Sequence, residues 1–336
     1  MPAHCNFISI VFLRHQRSKK VRFQKTMRLK KFVERRELWA IGIYRLKSLQ
    51  EILNLDDHLP LYMIGEKGLR KNVNYQSIVS DPFLFVYLGT LYLFYEVKTD
   101  HGHGEIWAQS LSKSGGWISH GKVLGEIFHL SYPQVFEHEG RVYMIPEAAQ
   151  SGKVLLYSAV DFPINWKLCS VLVNEPLLDP TVIFRKDEGF FLLATTRSDE
   201  LKLYHSATIH QPFSDTGVFI TKDKSISRCA GSPLYIEGSL YRLAQDCANI
   251  YGERILMQHI EELSVGGYAE TPASSELYSV KPKWMSVGYH HLSVVEFDGS
   301  VYAAVDGRRK DRYINTLMLG LLKIRRWCSK STSRTT

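Results

Sequence analysis

The chain has 336 residues, 45% hydrophobic and 12% aromatic, enough for one large packed core or two ordinary ones. No apolar run approaches the ~20 residues of a membrane-crossing helix. The net charge of +8 is unevenly placed: Arg14 to Arg36 carries eleven Lys/Arg against one Glu, which leaves the remainder near neutral.

The chain opens on Asn6 to Leu13 (NFISIVFL), a stretch too short to span and followed by basic residues, the reverse of a secretory signal. We read residues 1–37 as a basic tail, disordered or helical. Val21, Met27, Leu29, Phe32 and Val33 fall partly on one side of such a helix, and residues 14–36 suit an anionic membrane surface. The near-neutral body offers no basic face with aromatics, so no nucleic-acid partner is expected. Cys5, Cys169, Cys229, Cys247 and Cys328 form no CxxC and no metal spacing. That pattern points to reduced thiols and a cytoplasmic location, peripheral at the inner face of the membrane where the tail docks.

Past the tail, one sentence is written five times. YLGTLYLFYE ends at Glu96, EHEGRVYMIPE at Glu147 and KDEGFFLLATT at Thr196. IEGSLYRLAQD and FDGSVYAAVDG follow. The turn glycines are Gly89, Gly140, Gly189, Gly238 and Gly299, in steps of 51, 49, 49 and 61 residues. A repeat of about 50 residues made of short strands is that of a propeller blade. The expected fold is all-β, a five-bladed β-propeller over 38–325, with a disordered tail at 326–336. Its blades fall near 75–126, 127–174, 175–225, 226–276 and 284–325, the last completed by 38–60. There the N-terminal strand Trp39 to Tyr44 closes the ring and removes an exposed sheet edge. Each outer half carries an aromatic (Trp117, Trp166, Phe213, Tyr268) that reads as a plug between blades.

In each hairpin the start of the first strand lies beside the end of the second, so both face one rim. The starts are Asp81-Pro82, Tyr132-Pro133, Asp179-Pro180, Ser232-Pro233 and His291-Leu292. Proline suits a strand's first position because it lacks a ladder donor. The ends, seven residues past each glycine, are Glu96, Glu147, Thr196, Gln245 and Asp306, with Asp246 one further. The expected funnel therefore holds Asp81, Glu96, Glu147, Asp179, Asp246 and Asp306. Around them fall His129, Tyr132, Arg228, Arg242, Gln245, Tyr251, His290 and His291. Crowded carboxylates raise one another's pKa, the usual route to an acid–base pair, and with aromatic and Arg neighbours they suit hydroxyl-rich ligands. An Asp at a turn serves equally well to cap backbone N–H groups. No GxGxxG, P-loop or serine elbow is present, and His101-Gly102-His103-Gly104 reads as a loop tip. No cofactor and no metal is expected.

Ser80-Asp81-Pro82-Phe83 with Leu93-Phe94-Tyr95-Glu96 resembles the five-bladed propellers of the arabinanase, levansucrase and invertase type. Those families place a general-base Asp in a first-blade DP motif, and Asp81 is the matching residue. HLSYPQVFEHEGRVYMIPEA from His129, VDFPINW from Val160, GSLYRLAQDCANIYGERI from Gly238 and GYHHLSVVEFDGSVYAAVDGRR from Gly288 carry a closer likeness. They are similar, nearly phrase by phrase, to the N-terminal propeller domain of the glucosamine inositolphosphorylceramide transferase family and its free-standing bacterial relatives, over about 38–310. Two departures stand out. The hydrolases' second-blade Asp, which tunes the acid, is here Tyr132, and their third-blade Glu acid falls at Thr196. The resemblance implies that transfer in the plant proteins resides in a separate C-terminal domain, and that bacterial relatives serve surface-polysaccharide pathways.

The expectation is a carbohydrate-active propeller that acts on or transfers a sugar in surface-glycan or glycolipid biosynthesis, of glycosyltransferase or glycoside-hydrolase type. Asp81 is its base or nucleophile-side carboxylate, Glu147 its acid, and Asp179 or Asp246 positions sugar hydroxyls. The alternative is a non-catalytic glycan- or headgroup-binding module supporting a partner glycosyltransferase.

Overall fold

A computed structural model describes residues 33–65, 77–99, 102–273 and 277–314 of the chain. Most of the basic segment and the C-terminal residues lie outside these, as do Cys5 and Cys328. Residues Leu38–Arg309 form one compact unit. Among the described residues no helix is long and apolar enough to cross a membrane.

Five antiparallel sheets form the five blades of a β-propeller. β1 (Val33–Leu46), which begins inside the segment expected as tail, and β2 (Tyr62–Ile64) come first in the chain yet belong to the last blade. Blade 1 is β3 (Ser77–Tyr87), β4 (Thr90–Thr99), β5 (Gly104–Leu111) and β6 (Trp117–Leu124). Blade 2 is β7 (Ser131–His138), β8 (Arg141–Glu147), β9 (Val154–Asp161) and β10 (Asn165–Val173). Blade 3 is β11 (Leu178–Arg185), β12 (Gly189–Thr195), β13 (Leu201–Ser206) and β14 (Ser214–Thr221). Blade 4 splits its inner strand into β15 (Arg228–Cys229) and β16 (Leu234–Ile236), both on β17 (Ser239–Asp246), followed by β18 (Arg254–Leu263) and β19 (Tyr268–Pro272). In blade 5, β20 (Leu292–Phe297) and β21 (Ser300–Ile314) are completed by β1 and β2, so the N-terminal strand closes the ring.

The hairpin turns follow from their sequence. Leu88-Gly89, Glu139-Gly140, Glu237-Gly238 and Asp298-Gly299 are two-residue loops with φ positive at both positions, from 46° to 83°. That is the type I′ pattern, whose twist matches the flanking strands and which selects glycine second. Blade 3 differs. Arg185 pairs with Gly189, so Lys186, Asp187 and Glu188 make a three-residue loop and the glycine already belongs to the strand. Counting seven residues from Gly189 therefore overshoots by one: Thr195, opposite Leu178, ends the strand, and Thr196 lies past it.

Apolar side chains collect at the junctions between blades. Phe94, Ile106, Val135 and Met144 join blades 1 and 2, and Ile145, Leu156, Leu192 and Ala194 join blades 2 and 3. Leu193, Leu203, Leu240 and Ile260 join blades 3 and 4. Leu243, Ile255, Leu292 and Val301 join blades 4 and 5, while Ile41, Leu93, Tyr302 and Ala304 join 5 to 1. The four outer aromatics pack against these clusters, as plugs do: Trp117 stacks on Tyr62 with centroids 5.8 Å apart, and Phe213 is buried between blades 2 and 3. Cys169, Cys229 and Cys247 are free thiols.

Candidate functional site at the axial mouth

The rim is built by a repeated bulge. In blade 1, Ser80 pairs with Glu96 and the next pair is Phe83 with Phe94, so one extra residue is inserted at Asp81-Pro82. Blades 2 and 3 do the same at Tyr132-Pro133 and Asp179-Pro180. Asp81, Tyr132 and Asp179 take φ of 52°, 49° and 48°, a left-handed conformation that costs a non-glycine residue on the order of 1–3 kcal/mol. A bulge re-aims the side chain and releases the backbone N–H from the ladder, and the proline has no N–H to lose.

Each freed N–H finds a carboxylate of the preceding blade. Asp81 N–H donates to Asp306 Oδ2 (3.1 Å), Tyr132 N–H to Asp81 Oδ2 (3.1 Å) and Asp179 N–H to Glu147 Oε2 (3.3 Å). The axial acids thus latch neighbouring blades together, blade 5 to 1, 1 to 2 and 2 to 3. These carboxylates therefore fill the capping role expected of an acid at a turn.

An arginine and a glutamine of blade 4 set the electrostatics. Arg228 donates through Nε and Nη2 to Asp179 Oδ2 at 2.8 and 2.7 Å, and its Nη2 lies 3.9 Å from Glu147 Oε2. Gln245 Nε2 donates to the same Asp179 oxygen at 2.9 Å and to the Cys229 carbonyl. Burial, and then the neighbouring Asp179, push the Glu147 carboxyl well above the usual carboxylate range, with Arg228 acting against them. Burial also raises Asp81; His290 opposes it, while Glu96, Asp306 and Asp179 reinforce it. Two buried carboxyls with elevated proton affinity thus belong to successive blades.

At the blade 1–2 side, Glu96 Oε2 accepts from Ser80 Oγ (2.8 Å) and Glu96 Oε1 lies 3.5 Å from His129 Nε2. Gly104 N–H donates to His129 Nδ1 (2.9 Å), which leaves the ring proton on Nε2, toward Glu96. Gly104 cannot be replaced here: a Cβ would sit 2.4 Å from the Leu130 carbonyl and 2.6 Å from Glu96 Oε1. Burial pushes Glu96 up to about 7, and burial with Lys98 and His103 pushes His129 down to about 4.

His290 and Tyr251 complete the mouth. His290 Nδ1 is 2.6 Å from Asp306 Oδ2, and its Nε2 is 3.7 Å from Asp81 Oδ1. Tyr251 is 42% exposed as a residue, and its ring lies 5.3 Å from the Arg228 guanidinium and 5.6 Å from that of Arg308. Trp39 and Arg308 were not among the residues expected here. Trp39 packs 4.7 Å from the His290 ring, and Arg308 lies over Trp39 at 5.7 Å and donates to the Tyr251 carbonyl. Arg308 was legible as the second residue after Asp306, on the same face of β21.

The structure takes four expected rim residues elsewhere. Tyr132 is fully buried, its hydroxyl hydrogen-bonded to Thr181 Oγ1 and to the backbone of Gly231. The bulge turns its bulky ring into the core, where it meets Phe83 and His291 edge-on. His291 is equally buried between those two rings, and burial pushes it down to about 3, so it stays neutral. Arg242 lies on the Leu240 face of β17 and is bound to Glu270 of β19 at 2.8 and 2.5 Å. Asp246 is held by Arg254 at 2.9 Å and caps Ala248 N–H. Together at the mouth are Asp81, Glu96, His129, Glu147, Asp179, Arg228, Gln245, Tyr251, His290 and Asp306.

Asp81, His290 and Asp306 offer ligand atoms within 4.8 Å of one another, but they do not fit a metal. Asp306 Oδ1 already accepts the N–H groups of His290 and His291 (both 3.0 Å), and Oδ2 accepts Asp81 N–H and faces His290 Nδ1.

The family described as Glucosamine inositolphosphorylceramide transferase 1, N-terminal, matches residues 67–308. The chain belongs to this family. The rice (Oryza sativa subsp. japonica) protein named Glucosamine inositolphosphorylceramide transferase 1 is 35% identical over 304 aligned residues, which cover 81% of this chain and 40% of the relative. Its Arabidopsis thaliana namesake is 34% identical over 250, covering 69% of this chain and 32% of the relative. The chain thus spans two-fifths or less of the length of these relatives. Among solved structures, Bacillus subtilis arabinanase Arb43A matches with a TM-score of 0.51 at 12% identity, over 68% of this chain and 94% of that one. Listeria innocua β-1,2-mannobiose phosphorylase matches at 0.53 and 10% identity, over 84% and 99%. At such identities these two likenesses speak to fold alone. The likeness to the arabinanase type accordingly stops short of its acid chemistry: Tyr132 is a core residue and Thr196 donates its N–H to the Glu200 carbonyl.

Proposed function

We propose that the axial mouth binds and processes a sugar unit in glycolipid or surface-glycan assembly, the name of the transferase family pointing to glucosamine and an inositolphosphorylceramide headgroup as the substrate class. The observation that carries this reading is that two buried carboxyls of raised proton affinity, Asp81 and Glu147, stand on successive blades, each latched by one oxygen, with Glu147 beside an Arg-held Asp179. Asp81 acts as base or nucleophile-side carboxylate and Glu147 as acid. Asp179, Glu96, His129 and Tyr251 contact hydroxyls, with Arg228 and Gln245 fixing Asp179. The protein works at the cytoplasmic face of a membrane, its basic segment on anionic lipid, beside a partner glycosyltransferase.

A second reading has a specific observation behind it. The relatives are more than twice as long as the matched region, which favours a recognition module serving a transferase carried on another segment or chain. Asp81→Asn and Glu147→Gln separate the two, because each keeps an acceptor for the blade-latching N–H. Under the first reading, calorimetry with glucosamine-bearing headgroups shows binding within a few-fold of the parent, while turnover falls about 10²–10⁴-fold. Binding without turnover in the parent protein selects the second reading, and absence of any sugar binding ends both.

A further inference from the structure

Asp306 is fully buried and is the most completely engaged carboxylate in the molecule's centre. Its Oδ1 accepts His290 N–H and His291 N–H at 3.0 Å each, and its Oδ2 accepts Asp81 N–H at 3.1 Å. Such a group has no capacity left for a ligand. Its remaining contact is the 2.6 Å approach of His290 Nδ1 to Oδ2. The Nδ1 N–H is not directed at that oxygen, but at 2.6 Å a bare ring nitrogen and a carboxylate oxygen would repel, so Nδ1 carries a proton. The opposite ring nitrogen, Nε2, lies 3.7 Å from Asp81 Oδ1, at ion-pair distance.

We propose that Asp306 and His290 are a buried positioning pair which holds an imidazolium against Asp81 and favours the carboxylate form of Asp81 against its burial. The same two residues fix Asp81 in space, since Asp306 also holds its backbone N–H. The environment favours the cationic ring. Trp39 lies 4.7 Å and Tyr251 5.2 Å from its centroid, and an aromatic wall stabilises a desolvated cation. The charged and titratable groups around it are Asp81, Asp306, Asp179 and Glu96, which favour the cation, and His291, held neutral by burial. Arg308, over Trp39 and Tyr251, is the opposing charge. Burial lowers the affinity of His290 for a proton, and the carboxylates reverse that into a net rise. Gly252 is the packing counterpart: a Cβ there would stand 2.7 Å from His290 Cβ, so the loop reaches the ring only as glycine.

This inference deepens the reading of Asp81 as the acting carboxylate and rests on it, yet its test needs no sugar. In unliganded ¹⁵N-histidine-labelled protein, the His290 ring signals are assigned by their loss in His290→Gln. At pH 7 both ring nitrogens are expected in the protonated range, with a titration midpoint above the ordinary 6.5. Asp81→Asn is expected to lower that midpoint by about 1 unit or more. A neutral ring at pH 7 in the parent protein overturns the proposal, and that measurement needs no variant to fold. So does an unchanged midpoint in Asp81→Asn, which a merely structural His290 would show. Stoichiometric loss of the ring protons on adding Ca²⁺ or Zn²⁺ would also overturn it, in favour of a metal. Absence of turnover with any sugar refutes the functional reading while leaving the ring titration as it stands.

Discussion

Arg228 and Arg242 belong to one blade, and both lie against buried carboxylates, but the two arrangements do different things. Arg242 is 0% exposed, meets Glu270 through Nε and Nη2 at 2.8 and 2.5 Å, and gives a further bond to the Ile226 carbonyl. Tyr268 hydroxyl adds a donor to Glu270 at 2.6 Å. One cation meets one anion in a sealed junction between blades. Arg228 is 16% exposed and faces two acids, Asp179 and Glu147, with Asp81 beyond them. Charge that balances out of water is architecture. Charge that does not balance, at the edge of water, stays available for protons and ligands.

The comparison breaks most visibly at Arg242. Arg242→Met strands the Glu270 carboxylate, and breaking a buried pair costs about 3–5 kcal/mol. Urea denaturation should show that loss, and Arg242→Met with Glu270→Leu should recover most of it. A loss below about 1 kcal/mol, the range of surface pairs, would remove the distinction.

Arg228→Met is expected to cost less, about 1–2 kcal/mol, because the raised Glu147 carboxyl takes up a proton once the guanidinium is gone. The cost should therefore be larger at pH 8 than at pH 5, and sugar affinity should fall with it. Equal losses at the two pH values would mean that Glu147 does not take up that proton.

The smallest effect is expected at Glu96. Burial raises it from the ordinary 4.5 to about 7. A raised carboxyl contributes stability that is fully present below 4.5 and is lost as pH rises through 7. Glu96→Gln removes that slope while still accepting from Ser80. Its Tm relative to the parent should rise by a few °C between pH 5 and pH 8. A parallel pair of Tm curves would show that Glu96 ionises as freely folded as unfolded.

Much of the fold was legible because a propeller repeats itself. Gly89, Gly140, Gly238 and Gly299 mark turns that demand positive φ, and the DP and YP dipeptides mark bulges where a missing N–H does no harm. The misplaced Thr196 came from treating all five turns as equal, when Lys186 to Glu188 lengthen the third, and Ser232-Pro233 falls between β15 and β16 while Arg228 takes the place opposite Gln245. The site was legible as a set of acids and less so as individual roles. Tyr132 shares the backbone of Asp81 and Asp179, yet its ring and hydroxyl find Phe83, Thr181 and Gly231 in the core. Nothing in one chain's spacing separates a bulged Tyr that turns in from a bulged Asp that stays at the mouth. Trp39 was recognised as a closing strand and missed as a wall of the site, because its partner His290 is far along the sequence.

The sequence by itself determined the blade count, the ring closure through Trp39 to Tyr44 and the rim at which the acids gather, since local turn chemistry and strand alternation act within a few residues. Only the tertiary structure decided which carboxylate latches which blade, that Arg242 belongs to Glu270 and Arg228 to Asp179, and that Asp306 serves His290 and Asp81. Those pairings join residues of different strands and blades, and burial fixes them by removing the water that would otherwise satisfy each charge alone.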